Sequence, residues 1–207
     1  MADPLPLGQL SVYLEAAEVS FDIQRNDELS GTGDGRYWMA ELAPPLWTVT
    51  LALRARGLGA ARALDARLRA LAGLGTFLFA DPAYGGPAAG APGAAVQLTA
   101  IGSGRVEIGM SGLPAGFALT AGDRLSIVQG TVRYFGEICG DAVASASGVA
   151  AAVRVYPPLP FSVLSGAAVE LAKPVLQVFV PPGGHRPASF QPGGIGRGST
   201  LSLLQKI

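Results

Sequence analysis

The sequence predicts a mainly β protein with one clear α-helix, a split sandwich or barrel domain carrying an inserted small barrel-like domain. Three observations lead there. Twenty-nine glycines and sixteen prolines lie between short apolar runs rather than in a tail, and such punctuation signals many turns. Only one window, from about Gly59 to Ala72, places its leucines at helical spacing. A run of small residues from Ala83 to Ala95, AYGGPAAGAPGAA, separates two groups of strand-like segments.

In chain order, Val12 and Leu14 hint at a first strand. Val19, Phe21 and Ile23 then alternate with Ser20, Asp22 and Gln24, the period of a half-buried strand. Residues Arg25 to Arg36, RNDELSGTGDGR, read as a polar glycine-rich loop, followed by Tyr37, Trp38 and Met39. The next segment is the most informative. Trp47, Val49, Leu51 and Leu53 alternate with Thr48, Thr50, Ala52 and Arg54, a strand with one buried face. In the helix that follows, Leu64, Leu68 and Leu71 share a face that should pack on the sheet holding that strand, while Arg62, Asp65 and Arg69 share another. Thr76 to Phe79 form a short apolar strand that stops at Asp81-Pro82.

Beyond the small-residue run, strands are expected from Val96 to Ile101, Arg105 to Met110, Arg124 to Val128, Val132 to Ile138 and Val149 to Tyr156. Turn signals such as Gly102-Ser103-Gly104 and Pro114-Ala115-Gly116 separate them, the pattern of a small barrel or sandwich. Val169 to Leu171 closes this group. Val175 to Val180, a loop from Pro181 to Ser199 and a last strand from Thr200 to Gln205 end the chain. The domain expectation is therefore residues 1–82 as the first part of one β domain, with its helix at about 59–72, and residues 83–95 as a linker. Residues 96–171 form an inserted small β domain, and residues 172–207 complete the first domain.

Composition narrows the function classes. Hydrophobic residues make up 49% and mean hydropathy is +0.38, but much of that is alanine, which buries little area. The longest weakly polar run, Ala142 to Val153, falls short of the ~20 residues a membrane-spanning helix needs, and Met1 to Pro4 lacks a secretory start. A soluble protein made in the cytoplasm, without membrane insertion, is the expectation. Fifteen Lys plus Arg balance fifteen Asp plus Glu, so the excess of positive charge that phosphate binding usually leaves is missing. The preference for arginine over lysine, with so much Ala and Gly, reads as GC-rich coding bias.

Candidates for chemistry are few. Cys139 and His185 are each the single residue of their kind, which excludes an intrachain disulfide and a zinc site of sulfur and nitrogen ligands. His185 reads as a solvated loop histidine and Cys139 as a structural core cysteine. The runs Gly31 to Arg36 and Gly193 to Ser199 lack the GK[ST] of a phosphate loop and lead into β-like segments. Asp123, Glu137 and Asp141 show no spacing that pairs two carboxylates on one face. Trp38, Trp47 and Tyr37 can be a sugar-stacking platform, yet aromatics beside an apolar strand are more often core or interface. The sequence thus assigns no catalytic, cofactor-binding or metal residue, no cofactor, and no enzyme activity.

Several stretches resemble the distal tail (Dit-like) proteins of tailed bacteriophages. They are Pro44-Pro45-Leu46-Trp47 leading into a strand, the helix with Ala61-Arg62-Ala63-Leu64, and Gly75 to Phe79 with the Asp81-Pro82 stop. Gly112 to Gly116, Leu119 to Asp123, Pro157-Pro158-Leu159, Gly166 to Val169 and Lys173-Pro174 fit as well. The glycine-rich ending at Gly193 to Ser199 departs from that pattern. The resemblance implies a structural virion protein of the tail-tip baseplate, a homo-oligomeric, hexameric ring joining the tail tube protein to the baseplate hub protein. It also implies a channel that holds the tape measure protein and then lets DNA pass, and a first domain that resumes after the insertion. The alternative is a carbohydrate-binding β module at a tail tip or cell surface, with Tyr84, Tyr134 and Trp38 as its aromatics. A small hydrolase comes third and needs His185 beside Cys139 or a carboxylate.

Overall fold

The computed structural model describes residues 4–10, 13–71, 75–190 and 194–207. The protein is mainly β, with one substantial helix and a closed six-stranded barrel. The elements run α1 (Leu7–Leu10), β1 (Ala16–Thr32), β2 (Arg36–Leu53), β3 (Arg56–Gly57), α2 (Leu58–Ala70), β4 (Phe77–Ala80), β5 (Val96–Ile101) and β6 (Glu107–Ser111). Then come β7 (Ala118–Leu119), β8 (Arg124–Gln129), β9 (Val132–Ile138), β10 (Ala142–Val143), β11 (Val149–Tyr156) and β12 (Ala168–Glu170). The last are β13 (Val175–Phe179), β14 (His185–Arg186), β15 (Ile195–Gly196) and β16 (Thr200–Gln205). Two compact units divide the chain. One joins Tyr13–Thr76 to Val178–Lys206; the other is Phe77–Gln177 with residues 4–10 and Ile207.

In the first unit β2 lies between β1 and β16, all antiparallel, and β16 also carries β14 and the end of β13. The period-two reading of β2 is visible as burial: Trp47, Val49, Leu51 and Leu53 are buried, and Thr48, Thr50 and Ala52 are less so. Leu201 and Leu203 of β16 cover the same core, and Gln205 Oε1 accepts a hydrogen bond from Trp47 N at 3.0 Å. Helix α2 buries Ala61, Leu64 and Leu68, while arginines 67 and 69 in its last turn complement the helix dipole. Two expectations need correction here. Leu71 is only half-buried at the C-cap, because the helix has already ended. Asp65, expected on another face than the leucines with Arg62 and Arg69, is buried beside them, because His185 packs against it. Ala72, the expected helix end, and Val12 lie outside the described residues, and Leu14 is buried but belongs to no strand.

The largest departure is in residues 25–36. The expected loop is instead the far end of a hairpin: β1 continues to Thr32, a turn at Gly33-Asp34-Gly35 reverses the chain, and β2 starts at Arg36. Gly35 has φ +85°, the left-handed geometry a three-residue hairpin turn requires, and Asp34 Oδ1 accepts from Arg36 N at 3.2 Å.

The second unit is built on the barrel, with strand order β11-β6-β5-β12-β8-β9, closed by β9 on β11. Val96, Leu98, Ile108, Met110, Leu125, Ile127, Val153 and Val155 fill it. A small barrel closes only if backbones approach closely at its corners. At Gly112 a Cβ would lie 2.2 Å from Ala95 O, and its φ is +89°. The segment from Ala83 to Ala95 lies on this unit through polar contacts. Tyr84 Oη accepts from Arg124 N at 3.0 Å, Asp81 pairs with the Arg124 guanidinium, and Asp123 Oδ1 accepts from Ala88 N at 3.1 Å.

Candidate functional site

The hairpin of β1 and β2 outruns its sheet. β16 pairs with β2 only from Thr48 to Ala52, whereas β1 and β2 stay paired out to Thr32 and Arg36. Among the described residues, 26–43 form a two-stranded arm with no third strand. Residues directly opposite each other share a face. Leu29 faces Met39 and Gly31 faces Tyr37, so Leu29, Tyr37 and Met39 stand together, with Asp27 and Glu41 further along. Ser30 faces Trp38 and Glu28 faces Ala40 on the opposite side. Register shifts between Gln24 and Asp27 mark where the arm leaves the base.

Both faces are open to solvent. Leu29, Tyr37, Trp38, Met39 and Leu42 are between 62% and 70% exposed. A free two-stranded ribbon is marginal in water, and clustered exposed apolar side chains mark an interaction site. Local contacts hold the arm in shape. Arg25 pairs with Asp27 at 2.6 Å and donates to Met39 Sδ at 3.6 Å, and Asn26 Nδ2 donates to Pro44 O at 3.2 Å. Glycine at 31 makes room for the Tyr37 ring, which would sit 3.1 Å from a Cβ there. The outer edge of β1 carries Glu18, Asp22, Arg25, Asp27 and Glu28, charges that discourage uncontrolled strand addition.

The barrel unit presents a smaller apolar feature. Arg105, at φ +56°, donates from Nε to Leu159 O at 2.8 Å and from Nη2 to Pro160 O and Val163 O at 2.6 Å each. Its guanidinium lies 5.1 Å from the centre of the Phe161 ring, which is 86% exposed. Leu164, also exposed, is held by Gln129 Oε1, which accepts from Leu164 N at 2.7 Å.

The residues weighed for chemistry have other employment. His185 is not a solvated histidine. β14 pairs His185 with Leu201 and brings Nε2 within 3.1 Å of Asp65 Oδ1, where Asp65 is buried and His185 partly so. Burial pushes its pKa below the usual histidine range, Asp65 opposes this, and Arg69 adds to the lowering. Cys139 is exposed rather than core, because it follows the end of β9, and it belongs to the other unit. Partial desolvation and the Glu137 carboxylate push its thiol up, with Arg154 opposing, which makes it a weaker nucleophile.

Asp123 is buried and accepts from Thr120 N at 2.8 Å and Thr120 Oγ1 at 3.1 Å, while Asp141 accepts from Ala121 N at 2.9 Å. Both fix the turn before β8. Glu137 sits opposite Arg124 in the barrel wall. Tyr134 is buried and donates to Pro157 O at 2.5 Å, with burial raising its pKa. Tyr84 is half-buried against Arg124. Trp47 is core, 6.2 Å from Phe21 in an edge-to-face pair. Gly193 lies outside the described residues, and Ile195-Gly196 pairs with β3. Among the described residues, no three His, Cys, Asp or Glu are grouped to hold a metal ion, and no helix is long and apolar enough to cross a membrane.

Compared with protein-family models the sequence matches none, and no curated protein matches it significantly.

Proposed function

We propose that the chain is a structural subunit that assembles with copies of itself, as a ring-forming adaptor at the tip of a phage tail. The carrying observation is the arm, which exposes Leu29, Tyr37, Met39 and Leu42 and has no third strand beside it among the described residues. Exposed apolar side chains on both faces of a ribbon suit a surface that another subunit covers. The resemblance to distal tail proteins supplies the setting. The ring joins the tail tube protein to the baseplate hub, and its channel holds the tape measure protein and then passes DNA. Equal numbers of basic and acidic residues agree with a wall that DNA slides past without sticking. The subunit works in the virion, and its role is positioning rather than turnover.

The carbohydrate-binding alternative draws on exposed Tyr37 and Trp38. These neighbours point to opposite faces of the ribbon, and the other two aromatics considered are buried or bonded within the barrel unit. Negative-stain imaging of the purified chain and of the triple variant Leu29→Ser, Tyr37→Ser, Met39→Ser tests the proposal. Wild-type rings and dispersed variant monomers are expected. A wild type that stays monomeric at all concentrations and binds glycans through Trp38 would replace this reading with the alternative.

A further inference from the structure

The geometry points to an acceptor for the arm: the outer face of α2 on a second copy of this chain. This rests on the self-assembly reading above and names the two surfaces that meet. The zero net charge of the protein conceals a division inside the first unit. From Tyr13 to Leu53 there are seven carboxylates and two arginines. The rest of that unit, residues 54–76 and 178–206, carries eight basic side chains and one carboxylate, the buried Asp65.

The division is sharpest on the two elements proposed to dock. On the arm, Arg25 and Arg36 pair with Asp27 and Asp34, which leaves Glu28 and Glu41 exposed and outside any salt bridge among the described residues. They occupy adjacent rungs on opposite faces, so either face brings a carboxylate with it. On α2, Arg62 and Arg69 are exposed, stand two turns apart on one side, and likewise form no salt bridge among the described residues. Arg67, on the far side, lies 4.1 Å from the centre of the Tyr13 ring. Otherwise the outer face of α2 carries Gly59, Ala63, Ala66 and Ala70, so its arginines are its only charges.

Size and chemistry match as well. Seven paired residues of β1, Asn26 to Thr32, extend for about 23 Å at strand rise, and the thirteen residues of α2 for about 20 Å at helix rise. Arginine stems and alanine methyls can cover Leu29, Tyr37 and Met39, and the guanidinium groups can stack on Tyr37 or Trp38. Donor and acceptor surfaces differ, so every copy both gives an arm and receives one. A head-to-tail contact of this kind closes into a ring when its rotation allows.

Charge reversal, read by sedimentation velocity of the full chain, tests the pairing. Glu28→Arg with Glu41→Arg, or Arg62→Glu with Arg69→Glu, should each weaken self-association by about tenfold or more. A one-to-one mixture of the two double variants should co-assemble to within about threefold of wild type, because each reversed surface then has a matching partner. A misfolded variant cannot give that rescue. If the wild type assembles but the α2 variant assembles equally well, or if the mixture stays dispersed, the arm docks elsewhere and this inference fails while the self-assembly reading stands. A wild type monomeric at every concentration overturns both.

Discussion

The base and the tip of one hairpin obey opposite rules. At the base, β2 alternates buried Trp47, Val49, Leu51 and Leu53 with partly exposed neighbours, and β16 lies alongside. At the tip, the same two strands continue the same ladder with every described side chain from Arg36 to Pro44 exposed. Backbone pairing is therefore not what separates them. The base is stabilised by removing apolar area from water, about 25 cal/mol per Å². The tip keeps apolar residues without that gain, which is why it reads as a surface awaiting a partner.

Substitutions on the two halves should separate these roles. Leu51→Ala removes a fully buried side chain at the base and should cost about 2–5 kcal/mol in chemical denaturation. A cost like that of the tip would erase the distinction. Gln205→Ala takes away the acceptor of Trp47 N and should cost about 1–3 kcal/mol by the same method. Tyr37→Ala at the tip should change monomer stability by less than about 0.5 kcal/mol. A loss of several kcal/mol there would mean the arm is part of the fold's own core.

The smallest effect concerns pH. Burial disfavours the charged imidazole of His185, so its folded pKa lies below the unfolded value of about 6.5. The unfolded chain then binds the proton first as pH falls. Its contribution is fully present above about pH 6.5 and declines as pH drops toward the folded pKa. Denaturation midpoints of wild type should fall across that window, and those of His185→Gln should fall less. Equal slopes would show that the imidazole is not held neutral by its site.

What the sequence disclosed follows from where burial writes a pattern. Strands β5, β9, β11 and β16 lie at their expected limits because one face of each meets a core. The arm carries no such trace. With neither face buried among the described residues, residues 25–36 have no reason to alternate, and their glycines and charges read as a loop. Tyr37 and Trp38 were legible as interface candidates, but their exposure and their opposite faces depend on the register with Gly31 and Ser30. Asp65 and His185 meet across a long stretch of chain, which spacing alone does not reveal. The charge division between arm and helix was hidden for a simpler reason: opposite blocks cancel in the total.

In the proposed assembly another copy covers the arm. Amide hydrogen exchange of Asn26 to Ala43, measured across a range of chain concentrations, tests it most directly. Unsupported ribbon amides exchange quickly, and a docked arm is protected. Exchange in the arm should slow as concentration rises, while amides of Trp47 to Leu53 stay slow throughout. Arm amides that exchange equally fast at every concentration would contradict the account.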